Sequence, residues 1–425
     1  AIHIEPTKTD RQIRNRVDGI LRKTMEVPKW VQGAVISRVK IMAKMDIAEK
    51  RLPQDGRIGV RVGGRGLDLR VSTIPAAFGE KVVIRILDSA NATIPLEALG
   101  LSPAELDKME DLISRPQGIL LVTGPTGSGK TTSLYGILNR IKSVEDNITT
   151  IEDPIEYELE GVNQVAVQEK IGLGFATMLR AMLRQDPDII MLGEMRDLET
   201  TSIAVQAALT GHLVLSTIHT NSCVATVTRL RDLGVPSYLI ASTIIGIVAQ
   251  RLVRTICRNC RVKADPTEKD FLRLGLKANV PAYRGEGCAA CGGTGYKGRT
   301  GIYEILTISQ PIRDLIASNA TENELRQMAI SRGMVTLSQA ALEKVTSGIT
   351  TVDEVFRVVE TDGDIASACP QCANPLEAEF VMCPSCGYSI ASTCPGCRKI
   401  LSQEWKFCPY CRFDLLKNER RRSFA

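Results

Sequence analysis

Histidine is scarce in this 425-residue chain, which holds only three. Metal chemistry that relies on imidazole ligands is thereby confined to very few positions. A long apolar run is also missing. The most apolar stretch, residues 238–253 (YLIASTIIGIVAQRLV), is broken by Ser, Thr, Gln and Arg. It is shorter than the about 20 residues that cross a bilayer, and it reads as a buried helix. No secretory signal opens the sequence, and these absences together predict a cytoplasmic protein. Nor is there a large excess of one charge: the net +5 is too mild to imply a nucleic-acid partner by itself. The excess is local, however, since residues 1–70 hold 16 Lys and Arg against 8 Asp and Glu, a balance of +8. That patch reads either as a solvated face or as arginines placed to meet phosphate. The first residue is Ala and AIHIEP already reads as a strand, so the expectation is that an upstream portion precedes it.

What is abundant is cysteine. Twelve of 13 fall in six CxxC pairs: Cys257/Cys260, Cys288/Cys291, Cys369/Cys372, Cys383/Cys386, Cys394/Cys397 and Cys408/Cys411, leaving Cys223 over. Disulfide scaffolds are mostly small secreted chains, whereas paired CxxC units in a long chain point to zinc thiolates in a reducing compartment.

A hydrophobic content of 44% with 24% charge describes an ordinary globular protein of two to four domains. Residues 1–90 read as a small α/β domain, with strands at AIHIEP, RIGVRV, LDLRVSTI and KVVIRIL and a helix over 31–45. A linker (91–115) follows. In residues 116–256, apolar β-rich runs (GILLVTG, NITTIED, IIMLGE, HLVLSTIH) alternate with helical stretches, which predicts a parallel sheet covered by helices on both faces. Next come a Gly- and Cys-rich insert (257–300), a helical subdomain (301–360) and a polar linker (361–368). Residues 369–415 repeat four cysteines with a period of 25.

The line ILLVTGPTGSGKTT carries the most chemistry. Gly124 to Thr131 meets G-x-x-x-x-G-K-[ST] between an apolar strand and a helix-compatible segment, the context that the phosphate-loop motif requires. The backbone of Gly124, Thr126, Gly127, Ser128 and Gly129 would curl around a β-phosphate at the positive end of the next helix, with Thr132 in that helix's first turn. Lys130 would neutralise the β- and γ-phosphates, and Thr131 would offer its hydroxyl to Mg²⁺. ATP is therefore the expected ligand.

Turnover needs more: a water must be oriented and charge stabilised. RQDPDIIMLGEMRD ends a strand in acid, with Gly193 where an Asp often ligates magnesium and Glu194 at the tip. Glu194 would act on Mg²⁺ through water or on the attacking water. TIEDPIEY ends another strand with Glu152, Asp153 and Glu156, and Pro154 stops it, placing acids at the carboxyl edge where open α/β sheets bind ligands. His212 and His219 bracket the strand in TGHLVLSTIHTN and fit a sensor of the γ-phosphate.

GPTGSGKTT, TIEDPIEY, DIIMLGEMRD and TGHLVLSTIHTN, in this order, resemble the secretion ATPase superfamily, whose names for them are the Walker A, Asp-box, atypical Walker B and His-box motifs. AIHIEP…IRNRVDGIL and QRLVRTICRNC look like the branch that powers type II secretion and type IV pilus assembly. The resemblance covers about residues 1–360. It implies a RecA-like domain behind a small N-terminal α/β domain, arranged as a homohexamer that works a polytopic inner-membrane platform protein. A cytoplasmic adaptor is a further candidate partner, with peripheral association at the inner membrane. It also implies that N-terminal arginines reach nucleotide, and Arg14, Arg16, Arg70 and Arg85 are the candidates. Glu194, Glu156, Glu152, Lys130 and His219 become the candidate catalytic set.

Cys257, Cys260, Cys288 and Cys291 would close one tetrahedral Zn²⁺ site, structural because a catalytic zinc keeps an open position and no His lies nearby. In the family, this insert marks extension or secretion members rather than retraction motors. The tail departs from the family. Cys369, Cys372, Cys383 and Cys386, then Cys394, Cys397, Cys408 and Cys411, fit a double zinc ribbon too small to fold without metal. Its Trp405, Phe407 and Tyr410 could stack bases, but covering the ribbons' small cores is the simpler role, and a protein partner is favoured over nucleic acid. The alternative for the whole chain is a P-loop motor for DNA uptake or transfer with a nucleic-acid-binding tail. A nucleotide kinase with a zinc lid is disfavoured by the His-box strand, the length and the lack of an arginine-rich acceptor lid.

Overall fold

The computed structural model describes residues 1–88, 94–264 and 281–359, with positions 382, 383, 387, 388, 394, 397, 407 and 409–413 of the tail. It divides into two compact units, residues 1–260 with 285–341 and residues 261–284 with 342–425.

The first unit opens with an antiparallel sheet of β1 (Ile2–Pro6), β2 (Arg11–Val17), β3 (Ile20–Val27), β4 (Gln54–Val62), β5 (Arg65–Ala76) and β6 (Gly79–Asp88), in the order β3-β2-β1-β6-β5-β4. The four strands legible in the sequence are present, and β2 and β3 are additional. These two were hidden because RQIRNRV and LRKTMEV carry charge where a buried strand carries apolar residues. Their signal was Asp18-Gly19 between them: both residues have positive φ (48° and 84°), the requirement of a tight hairpin turn. Arg14 of β2 meets Glu5 of β1 at 2.6 Å across the pair. Helix α1 (Gln32–Met42) is shorter at both ends than the 31–45 expected. It seals the core of Ile4, Ile36, Ala43, Ile58, Val71, Val82 and Ile84. Beside that core Lys40 is buried, with its ammonium 2.5 Å from Glu80 Oε1 and 2.6 Å from the Glu49 carbonyl.

Residues 118–307 carry β7 (Gly118–Thr123), β8 (Ile148–Glu152), β9 (Asn163–Ala166), β10 (Ile189–Leu192), β11 (Leu213–Ile218), β12 (Ile244–Ile256), β13 (Arg261–Ala264), β14 (Ala282–Gly285) and β15 (Tyr296–Thr307). Seven of them form one sheet in the order β15-β12-β7-β11-β10-β8-β9. All its pairings are parallel except β15 on β12. The strands β7, β8, β10 and β11 are buried from end to end, as apolar strands covered on both faces must be. Helices α2 (Pro103–Ile113), α3 (Lys130–Ile141), α4 (Phe175–Met182), α5 (Leu198–Leu209), α6 (Cys223–Asp232) and α7 (Ser237–Thr243) accompany it.

The expectation of one buried helix over 238–253 is corrected here. The segment breaks into α7 and β12, and β12 runs parallel to β7 from Ile244↔Ile119 to Ala249↔Thr123. Ile244, Ile245, Ile247 and Val248 are β-branched, which favours the pleated strand. Burial on both faces removes the alternation that would have shown it. The helical subdomain expected from 301 likewise begins inside β15, and its helices are Gln310–Ala317, Glu322–Ser331, Leu337–Thr346 and Val352–Val358.

In the second unit β13 pairs with β14. The Arg261 guanidinium lies 4.9 Å from the Tyr283 ring centroid, and it donates to the Gly348 carbonyl at 3.3 Å.

Removing one member of the buried Lys40–Glu80 pair leaves the other charge without compensation, at a cost of about 3–5 kcal/mol. Glu80→Ala should therefore speed amide hydrogen exchange across α1 and β6 while leaving exchange in β7 and β11 unchanged.

Candidate active site

The phosphate loop leaves the end of β7 and enters α3. Gly124, Gly127 and Gly129 all have positive φ (147°, 82° and 92°), so only glycine takes these turns without strain. Gly129 is the residue that precedes the first turn of α3, and the free N–H groups of that turn face the loop. Lys130 folds back along the loop, donating to the Gly124 carbonyl at 2.7 Å and the Pro125 carbonyl at 3.3 Å. Burial depresses its ammonium to about 8, the Glu194 carboxylate pulls it upward, and the Arg251 guanidinium pushes it down. Ser128 lies buried beneath the loop, while Thr126 and Thr131 are exposed and Thr132 half-buried.

Three parallel strands deliver their ends to this loop. From the end of β10, Glu194 is mostly buried and paired with Arg196, and its Oε2 lies 3.6 Å from His219 Nε2. His219 follows β11, and its imidazole is held below its ordinary value by burial first and then by the Lys130 charge, against the pull of Glu194. A neutral ring near pH 7 results. His212 stands at the opposite end of the same strand, where its Nδ1 meets the Ala207 carbonyl at 2.9 Å. A six-residue strand separates the two by about 20 Å, so only His219 joins the site. Thr123 binds the turn after the strand: its Oγ1 accepts from the Thr220 N–H at 2.9 Å and donates to the Ile218 carbonyl at 3.0 Å.

The acids after β8 part company. Glu152 is buried, and its carboxylate accepts from the Tyr135 phenol, from Thr150 Oγ1 at 2.7 Å and from Gln164 Nε2 at 3.0 Å. Burial and then the bond to Glu152 raise the Tyr135 phenol well above its usual range. Glu156, past Pro154, faces the N-terminal domain and pairs with Arg70 at 3.1 Å. Arg70 also donates to the Ile155 carbonyl. Glu156 and its neighbours border a cleft of about 1190 Å³ lined by Arg57, Arg61, Asp68 and Tyr157 among others. Of the other candidate arginines, Arg14 is taken by Glu5, Arg16 donates to the Gly19 carbonyl at 2.7 Å, and Arg85 sits opposite Arg70 in register.

Tyr135, Gln164, Arg196, Gln250 and Arg251 belong to this neighbourhood and were not singled out from the sequence. Arg196 lay two residues from Glu194. Gln250 and Arg251 open the QRLVRTICRNC segment, but nothing in its spacing puts them at the loop, and Tyr135 and Gln164 carry no motif, because packing between separate elements gives these residues their places.

Away from the loop, the thiols of Cys257, Cys260, Cys288 and Cys291 all lie within 4.8 Å of one another. Sγ–Sγ distances are 3.8 Å for Cys257–Cys288, 3.9 Å for Cys260–Cys291 and 3.7 Å for Cys288–Cys291. A tetrahedral zinc with Zn–S near 2.3 Å requires edges of about 3.8 Å, so the set fits Zn²⁺, whereas a disulfide needs about 2.05 Å. The fold closes around it through Gly285 and Gly295: a Cβ on Gly285 would stand 2.0 Å from the Gly295 carbonyl oxygen. In the tail, Cys394, Cys397 and Cys411 also converge within 4.8 Å, and Cys383 is buried. Cys369, Cys372, Cys386 and Cys408 lie outside the described residues, as does Trp405.

A glycine loop at the end of a central parallel strand, met by a histidine from the neighbouring strand β11 and an acid from β10 beyond it, defines a P-loop ATPase of RecA-like fold. The chain belongs to the type II/IV secretion system protein family, whose model matches residues 1–357. A double zinc ribbon model matches residues 369–412. The type II secretion system protein HxcR of Pseudomonas aeruginosa is 51% identical over 84% of this chain and 73% of its own length. The type IV pilus assembly ATPase PilB of Thermus thermophilus is 49% identical over 84% of this chain and 41% of its own. Among solved structures, the pilus retraction motor PilT with bound ADP superposes with a TM-score of 0.57 at 29% identity, covering 84% of this chain and 92% of that one.

Lys130 meets phosphate only while charged, and its charge in the free site is present below about pH 8 and lost above it. ATP affinity should therefore fall as pH rises from 7.5 to 9.5, by up to about tenfold per unit. Lys130→Arg should flatten that dependence, as read by fluorescent-nucleotide titration.

Proposed function

We propose that this chain is a motor ATPase that hydrolyses ATP to drive pilus or pseudopilus assembly or type II protein secretion. The observation that carries the reading is the convergence of Lys130, Glu194 and His219 at the adjoining ends of β7, β10 and β11. The relatives named for type II secretion and type IV pilus assembly favour it over a motor for DNA.

In this reading the loop from Gly124 to Thr132 binds the triphosphate, and Lys130 neutralises its β- and γ-oxygens. Thr131 and, through water, Glu194 would hold Mg²⁺, which supplies further charge neutralisation at the same oxygens. Glu194 orients the attacking water and receives its proton. The neutral His219 donates a hydrogen bond toward the γ-phosphate and so registers whether it is present. Glu156 supports the water or the metal from the Asp-box loop. Glu152 acts at one remove, because its carboxylate holds Tyr135, Thr150 and Gln164 together and thereby fixes where that loop begins.

The partners follow from the class of machine: a homohexamer on the cytoplasmic face of the inner membrane, acting on a polytopic platform protein. Among the described residues no helix is long and apolar enough to cross a membrane. The four-Cys zinc is structural, with no histidine and no open position in its donor set. The double zinc ribbon serves as a docking module for a protein partner or for the ring itself.

Lys130→Ala should abolish ATP binding and turnover. Glu194→Gln should retain ATP binding while slowing hydrolysis about 100-fold or more, and wild-type phosphate release from that variant would refute the assignment. Glu156→Gln should slow turnover without altering the melting temperature. Deleting residues 362–425 should leave the ATPase rate of the remaining chain intact while weakening assembly or partner capture. Unchanged assembly and capture would remove the docking role.

A further inference from the structure

Strand β12 lies against the phosphate loop along one side, and one of its residues touches the loop at both ends. Gln250 is 2% exposed, in the middle of a strand otherwise rich in Ile and Val. A Cβ at Gly124 would stand 2.5 Å from the Gln250 carbonyl oxygen, and one at Gly129 would stand 2.9 Å from Gln250 Nε2. The loop's first glycine therefore rests on this residue's backbone and its last on the side-chain amide. The amide is itself oriented, since Ser133 Oγ in the first turn of α3 donates to Gln250 Oε1 at 2.8 Å. With the oxygen so engaged, the NH₂ end faces Gly129, and the positive end of the amide dipole points at the loop. The next residue, Arg251, donates to the Gln250 carbonyl at 3.1 Å and to the Asn221 carbonyl at 2.9 Å, joining this support to the turn that follows His219.

Packing alone would be met more cheaply by an aliphatic residue, because a buried amide must have its polar atoms satisfied. We propose that Gln250 is a positioning residue for nucleotide binding: it sets the curvature of the phosphate loop through Gly124 and Gly129 and turns a favourable dipole toward the bound phosphates. It touches neither nucleotide nor water and acts through the loop. The inference rests on the loop being the ATP site.

Two substitutions in the full chain separate this role from simple packing. Gln250→Glu preserves the acceptor for Ser133 but puts a negative charge behind Gly129. The KM for ATP and the Kd for a fluorescent ATP analogue should rise about tenfold or more, with kcat at saturation within a few-fold of wild type. Gln250→Leu should raise KM several-fold with no shift in melting temperature, the pattern of lost binding rather than lost transition-state stabilisation. A folded Glu variant with wild-type KM and Kd overturns the proposal, as does a loss confined to kcat. If the Glu variant does not fold, Ser133→Ala decides the matter: freeing the amide should raise KM several-fold, and an unchanged KM refutes the role. Lys130→Ala stays defective whichever way Gln250 falls, so failure here is distinct from failure of the ATP site itself.

Discussion

Strand β7 is hydrogen-bonded on both sides, to β11 and to β12, and it is buried along its whole length. On that double pairing the catalytic geometry depends. A loop that must aim several backbone N–H groups at one point cannot do so from a mobile base, and β7 gives it a base with no freedom to shift register. The neighbours that hold the strand also bring the chemistry: β11 ends at His219, and β10, one strand further, ends at Glu194. Because all three run parallel, their carboxyl ends reach the same edge of the sheet, and residues about 90 positions apart in sequence meet there. An antiparallel neighbour would have sent its chain end to the opposite edge.

The same sheet connects the site to its surroundings. Strand β12 passes the loop at Gln250 and runs on to Ile256, where the next residue is the first thiol of the zinc cluster. The metal module is thus mounted on the far end of a strand that braces the phosphate loop. On the other flank, Arg70 of the N-terminal domain reaches the Asp-box loop and holds Glu156. Part of the local positive charge in residues 1–70 is taken up within its own sheet, as with Arg14 on Glu5 and Arg16 on the Gly19 carbonyl. Arg70 is the member of the candidate set that reaches across to the site.

How far the chain could be read before its fold was known differed from element to element, for physical reasons. The phosphate loop was legible because backbone curvature around an anion demands glycines at set spacing, and that demand is local. The zinc thiolates were legible for a similar reason, since CxxC brings two sulfurs to one metal within a single turn. The hairpin of β2 and β3 is hidden in the sequence because charged residues stand along its strands where a buried strand carries apolar ones. The run over 238–253 was misread because a strand buried on both faces has no alternation to show.

Local chemistry by itself therefore determined that this protein handles a nucleotide phosphate, carries zinc thiolates and belongs with the secretion motors. Tertiary structure decided which of the similar residues lie at the phosphate loop. Of two histidines at the ends of one strand, strand direction admits only His219. Of two glutamates in one short motif, burial under Tyr135 withdraws Glu152, while Glu156 faces Arg70. Gln250 stands at the head of QRLVRTICRNC, but its place under the phosphate loop comes from what lies across the sheet, and pairing between distant strands is not written in the spacing of neighbours along a chain.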